Sequence, residues 1–206
     1  MEGKEGKRFL YVFVGAIPEG EDIPEVASVL RREYLSRLSN PKRARESAYV
    51  WRLLELGVER TLGLSPDGVS YREDASGRWE ADGFYTSLSH TSGACAAAIS
   101  DSPVGVDIEL IRQLRAESFP RRTLTESEYS EYEAKDGVGR VEFLVRKWTE
   151  KESAFKAGAT DSFIPRSVTS DLPIYSQTLE MSDSRYALSV CSESLDMLSI
   201  VYINEL

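Results

Sequence analysis

One order of local signals repeats along this chain: a strand-like run, then two helix-like patterns, then two more strand-like runs. Phe9 to Val14 is rich in β-formers and is ended by Gly15 and Pro18. Val26, Val29, Leu30 and Leu38 then recur at helical spacing over 23–38. Asn40-Pro41 is a helix start, carried by Ala44, Ala48, Trp51 and Leu54 to about Leu56, with Gly57 as its stop. Leu64 to Gly83 is polar, with turn signals at Pro66-Asp67-Gly68 and Ser76-Gly77. Runs at 84–89, 94–99 and 104–108, parted by turns at His90–Gly93 and Ser100–Pro103, read as a meander of short antiparallel strands. The second half restarts the order. Arg112 to Asp136 is helical and charged, with a capping box from Thr125 to Glu128, and Gly137-Val138-Gly139 is expected to break it. Val141 to Lys156 is the strongest helix pattern of the chain, ended by Gly158. Strands at 179–181, 186–191 and 198–203 follow. The join falls near Ser100–Pro103, and the halves share element order but no convincing residue-level repeat.

A chain of 206 residues is one large domain or two lobes of about 100 residues, and it needs no staples to bury a core. Its net charge of −9 argues against a general nucleic-acid binder, which needs a basic footprint. The basic clusters Arg31-Arg32, Lys42-Arg43-Arg45 and Arg121-Arg122 read as solvated helix faces, leaving room for a local basic pocket. No apolar stretch reaches the ~20 residues of a membrane span, and 9–17 is too short and poorly flanked for a signal segment. Cys95 and Cys191 lie far apart in apolar runs, so they read as small buried hydrophobes in a reducing, cytoplasmic protein.

Three segments carry chemistry. In Val104-Gly105-Val106-Asp107-Ile108-Glu109, residues two apart on a strand share a side, so Asp107 and Glu109 present two carboxylates together. Such a pair is either an exposed acidic strand end or a divalent-metal site, for which magnesium beside phosphate oxygens is the simplest occupant. In Trp148 to Lys156, Glu152 and Lys156 share a helix face, as an ordinary ion pair or as one wall of a cleft that Lys151 also borders. In Leu88-Ser89-His90-Thr91-Ser92-Gly93, the single histidine is a structural hydrogen-bonder or part of a phosphate-holding turn. Ser89 and His90 point to opposite sides of a strand, which argues against a Ser-His nucleophile, and one histidine excludes a multi-histidine zinc site. There is no Gly-x-x-x-x-Gly-Lys phosphate loop and no Rossmann glycine fingerprint.

Taken in order, these segments resemble the 4′-phosphopantetheinyl transferase superfamily: Leu-Ser-His, Gly-Val-Asp-x-Glu, Leu124-Thr125-x-x-Glu128-Tyr129, then Trp-Thr-x-Lys-Glu-Ser-x-x-Lys. The match covers roughly Arg43 to Lys156, and the length resembles the two-lobed surfactin-synthetase-activating type. The resemblance implies an α+β fold of two similar lobes related by a pseudo-two-fold, each with a small, mainly antiparallel sheet and packed helices. Residues 1–102 would form the nucleotide-side lobe and 103–206 the lobe with the metal and the catalytic helix. It implies transfer of the 4′-phosphopantetheine arm of coenzyme A to a serine of an acyl or peptidyl carrier protein, as holo-acyl-carrier-protein synthases do. Asp107, Glu109 and Glu152 would hold Mg2+ or Mn2+. Glu152 and Lys156 would be catalytic, as base and as pyrophosphate ligand. Arg43, Arg78, Ser89, His90, Lys151 and Lys156 would bind coenzyme A. Arg78 and Trp79 replace the Lys and Pro of the family's Gly-Lys-Pro turn. A monomer is expected, with an apolar, basic-rimmed carrier-docking surface over 111–124 that includes Arg112, Arg115, Phe119, Arg121 and Arg122. The rivals are a non-catalytic coenzyme A or carrier-binding module and a magnesium-dependent phosphohydrolase.

Overall fold

The computed structural model describes residues 8–20, 22–74, 77–112, 117–159, 163–204 and 206, and shows an α+β fold. A four-stranded sheet holds β4 (Tyr85–Thr91), β5 (Ala94–Ser100), β1 (Leu10–Ala16) and β9 (Leu198–Ile203), in that order. The β4–β5 and β5–β1 pairs are antiparallel, while β1 and β9 run parallel with Leu10 opposite Leu198. A three-stranded antiparallel sheet has the order β6 (Val104–Leu110), β8 (Ser184–Ser192), β7 (Ile174–Met181). A small hairpin pairs β2 (Tyr71–Glu73) with β3 (Trp79–Ala81). The helices are α1 (Val29–Ser36), α2 (Pro41–Leu62), α3 (Phe119–Thr123), α4 (Glu126–Glu133) and α5 (Gly137–Lys156).

The two sheets pack face to face, with α2 outside one and α5 outside the other. The alternation of β1 and β5 explains this. Phe13, Cys95, Ala97 and Ile99 face α2 and meet Trp51, Leu53, Leu54 and Val58. Leu10, Val12, Val14, Ala94, Ala96 and Ala98 face the second sheet and meet Val106, Ile108, Leu188 and Val190. All seven residues of β5 are buried, and its alanines let both layers approach closely. On the far side of the second sheet, Ala154 and Ala157 of the α5 end pack on Cys191. Both cysteines are free and buried, as their apolar settings implied.

The structure departs from the sequence reading in several places. The first helix begins only at Val29, because the N–H groups of Ala27 and Ser28 turn to the Glu55 carboxylate and Ser28 caps the helix. Helix α2 runs through Gly57 to Leu62. Gly57 is a packing glycine: a Cβ there would lie 2.7 Å from the Phe13 ring. The true stop is Gly63, at φ 64°. The polar stretch 64–83 contains the β2–β3 hairpin, held down by Tyr71 and Trp79 edge-on to Trp51 at 4.8 Å each. Arg31 is not on a solvated face. It is buried among Tyr34, Trp51 and Trp79, with its guanidinium hydrogen-bonded to Ser47. The helical run does break, but at Ala134–Asp136, and Gly137-Val138-Gly139 opens α5, since the Asp136 side chain accepts from the Gly139 N–H at 2.7 Å. The Thr125–Glu128 capping box is present.

The expected meander stops at β5. Strand β6 leaves for the second sheet and pairs with β8. It still lies beside β4, and that seam builds the site. Two serine hydroxyls of β4 serve as surrogate strand partners for β6: Ser87 Oγ accepts from Val106 N at 3.0 Å, and Ser89 Oγ from Ile108 N at 3.2 Å. Backbone donors on an edge that is being buried need such partners. On its other side β6 runs flush against α5. A Cβ on Gly105 would fall 1.8 Å from the Ser153 carbonyl oxygen and 2.6 Å from Ala157 N, so only glycine fits this approach.

Candidate active site

Strand β6 presents Asp107 and Glu109 to the same side, as its pleat requires, and β4 meets them with residues of matching alternation. Ser89 Oγ donates to Asp107 Oδ1 at 2.7 Å, and Thr91 Oγ1 donates to Glu109 Oε2 at 2.9 Å. Helix α5 supplies the cation. Lys156 Nζ donates to Asp107 Oδ1 at 2.7 Å and to the Val106 carbonyl at 3.2 Å. Asp107 is 4% exposed, and its Oδ2 is buried without a hydrogen-bond partner among the described residues. A buried carboxylate oxygen left open in this way marks a place for a further donor or cation.

Glu152 lies one turn before Lys156 and lines a pocket of about 230 Å3 with Arg78, Trp79, Thr86 and Lys156. Burial, with Asp107 and Glu109 adding and Lys156 opposing, lifts its carboxyl to about 7. Burial and Asp107 also push Glu109 upward, against the pull of the Thr91 hydroxyl and of Lys156 and Arg112. The three carboxylates therefore crowd one another electrostatically. Among the described residues, no three His, Cys, Asp or Glu side chains form a ready-made metal cluster. Oxygen donors of this kind, sparse and backed by a phosphate-bearing ligand, still suit Mg2+ or Mn2+. A larger cavity of about 480 Å3 adjoins, sharing Arg78, Trp79, Thr86 and Lys156 and adding Arg72, Tyr85 and Pro103.

The remaining sequence candidates fall in three places. Arg78 lines both pockets, with its backbone N–H and guanidinium on Asp74 at 3.0 Å each. His90 points away from Asp107, toward α2, with Nδ1 3.6 Å from Glu46 Oε2. Burial first, then Lys156, Arg31 and Arg43, lowers it to about 4, so the ring is neutral near pH 7. Arg43 is exposed at the start of α2, beside Lys42, whose Nζ reaches Ser92 Oγ at 3.4 Å. Ser89 is buried, with its hydroxyl engaged by β6 on both donor and acceptor sides. Lys151 is not brought into the pocket. It is 5% exposed and pairs with Glu128 at 3.0 Å, tying the α4 capping box to α5. Burial raises the Glu128 carboxyl, but the Thr125 N–H and Lys151 outweigh it and hold Glu128 low.

Sequence reasoning missed Thr91. The signal was available in the alternating hydroxyls Ser87, Ser89 and Thr91, on one side of a strand beside the acidic one. Of the docking candidates, Arg115 lies outside the described residues. Arg121 and Arg122 are exposed on α3, Arg121 stacks on Tyr129 at 4.3 Å, and Phe119 packs on Trp148 at 5.1 Å.

This chain is similar to known 4′-phosphopantetheinyl transferases. Residues 103–194 match the family model described as the 4′-phosphopantetheinyl transferase superfamily. A 4′-phosphopantetheinyl transferase of Bacillus subtilis is 23% identical over 197 residues, spanning 86% of this chain and 87% of that protein. The 4′-phosphopantetheinyl transferase gsp of Aneurinibacillus migulanus is 28% identical over 66% of this chain. The 4′-phosphopantetheinyl transferase Sfp of Bacillus subtilis strain 168 is 29% identical over 53% of it. The alignments span 57% and 55% of those last two proteins. The family match begins at the strand that carries Asp107 and Glu109 and runs through the helix that carries Glu152 and Lys156, so the similarity to the 4′-phosphopantetheinyl transferase superfamily takes in both elements that build the site.

Proposed function

We propose that this protein transfers the 4′-phosphopantetheine arm of coenzyme A to a serine hydroxyl of an apo acyl or peptidyl carrier protein, releasing adenosine 3′,5′-bisphosphate. The observation that carries the reading is the convergence of Asp107 and Glu109 from β6 with Glu152 and Lys156 from α5, the last two lining the pocket. Asp107, Glu109 and Glu152 would hold Mg2+ or Mn2+, and the open Asp107 Oδ2 supports that assignment. When bound, the cation supplies charge neutralisation on the pyrophosphate oxygens.

The chain's own groups divide the rest of the work. Without a cation the Glu152 carboxyl stands near 7, and a cation bound beside it would favour the charged form, the form that accepts a proton from the incoming serine. The serine oxygen bonds to the pantetheine-side phosphorus as the bond to the nucleotide phosphate breaks. Lys156 stands where charge develops on the leaving oxygens and lowers its cost. Arg78 at the shared wall of the two pockets, and Arg43 with His90 at the α2 end, form the coenzyme A-binding set. A phosphate arriving there would favour the protonated imidazole. Ser89 contributes through Asp107, and Lys151 by keeping α4 on α5.

The two-lobed arrangement, with residues 1–102 on the nucleotide side and 103–206 carrying the metal and α5, belongs to the same reading. Its support is a helix packed on the outer face of each of two contacting sheets. So does a monomer working in the cytoplasm. Among the described residues, no helix is long and apolar enough to cross a membrane.

The test is to incubate apo-carrier with coenzyme A and magnesium and to follow the carrier mass. Gain of one phosphopantetheine is expected, lost in Glu152→Gln and Asp107→Ala. Transfer that survives both substitutions refutes the assignment. Cleavage of coenzyme A without gain of carrier mass points to a phosphohydrolase.

A further inference from the structure

Thr91 has no role in the reaction as described so far, yet its hydroxyl is placed as exactingly as any group at the site. The side chain is buried on β4, and its hydroxyl donates to Glu109 Oε2 at 2.9 Å. The same strand, two residues earlier, donates from Ser89 to Asp107. The two metal-side carboxylates are thus each held by one hydroxyl from the neighbouring sheet, in matching register. Glu109 has reason to need the restraint. It is only half-buried, it sits beside Asp107, and that repulsion favours a side chain swung outward.

We propose that Thr91 is a positioning residue that fixes the Glu109 carboxylate in the orientation in which it binds a divalent cation. The inference rests on the reading of Asp107, Glu109 and Glu152 as a metal site. A hydrogen bond to one oxygen selects a single rotamer and leaves the other oxygen free to ligate. Partners of this outer kind typically set metal affinity by ~10–100-fold. The seam between the sheets thereby acquires a second purpose: β4 joins the sheets and also aims the ligands of β6.

The experiment titrates Mn2+ onto the enzyme–coenzyme A complex without carrier, reading free Mn2+ by electron paramagnetic resonance. Thr91→Val, which keeps the shape and removes the hydroxyl, is expected to weaken Mn2+ binding ~10–100-fold. Thr91→Ser should restore it to within about threefold, since the donor returns. Thermal unfolding of the metal-free variants should not follow that ranking. Thr91→Ala reads the same loss should the valine variant fail to fold. Wild-type Mn2+ affinity in Thr91→Val, or equal weakness in Thr91→Ser and Thr91→Val, overturns the proposal. Glu109→Gln separates the premise: unchanged Mn2+ binding there would overturn the metal site itself, whereas weakened binding there with unaffected Thr91→Val overturns only the role of Thr91.

Discussion

Gly105→Ala should disable the enzyme by displacement, without touching a single charged group. The added Cβ would lie 1.8 Å from the Ser153 carbonyl oxygen, about 1.5 Å inside the ~3.3 Å closest ordinary C···O approach. It would also lie 2.6 Å from Ala157 N and 2.8 Å from the Ser153 carbonyl carbon. These are backbone atoms at the end of a helix, so no side chain can swing aside. Strand β6 and helix α5 must separate by an ångström or so, and overpacking of this kind costs about 3 kcal/mol, at the upper end of the usual range. The same separation pulls Asp107 on the strand from Lys156 on the helix, which now meet at 2.7 Å. A displacement near 1 Å at such a site costs roughly 100-fold in rate. The check is a urea unfolding series together with kcat/KM for carrier modification. Gly137→Ala serves as the control, because its Cβ meets nothing within 4 Å. A Gly105→Ala protein with wild-type midpoint and wild-type kcat/KM would refute the argument from close approach.

Two further outcomes follow from the electrostatics. The Glu152 carboxyl is raised to about 7 in the folded state, so its contribution to stability is full below about pH 4.5 and is lost as pH rises through 7. In EDTA, Glu152→Gln should therefore gain thermal stability over the wild type as pH climbs from 5 to 7, then level off; a pH-independent difference contradicts the assignment. Replacing Arg121 and Arg122 by Glu should raise the KM for an acidic carrier several-fold with little change in the KM for coenzyme A, measured by radiolabel transfer. Unchanged carrier kinetics would remove α3 from the docking surface.

Much of the site was legible in the sequence because its chemistry is local. Two carboxylates two apart on a strand, and Glu152 four before Lys156 on a helix, have orientations fixed by backbone period alone. The capping box at Thr125 was legible for the same reason. What escaped depends on residues far apart in the chain. Lys151 lies next to Glu152 in sequence, but its partner Glu128 draws it under α4 and out of the pocket. Arg31 is polar in any pattern and becomes buried because three aromatic rings and Ser47 accept its guanidinium. Gly57 carries the sign of a helix stop, yet the reason for it is the Phe13 ring on another element. The exit of β6 to a second sheet was hidden because a turn such as Ser100–Pro103 serves a hairpin and a crossing equally well.

The parallel pairing of β9 with β1 sets a timetable for the nascent chain. Leu10 leaves the ribosome long before its sheet partner Leu198. Until then one edge of a strand rich in Leu, Val and Phe has no neighbour, a state that invites pairing with other chains. A fragment cut after residue 102 would keep that edge open permanently. Strand β1 is thus completed by β9, and their sheet matures only after the residues that carry the chemistry have been synthesised.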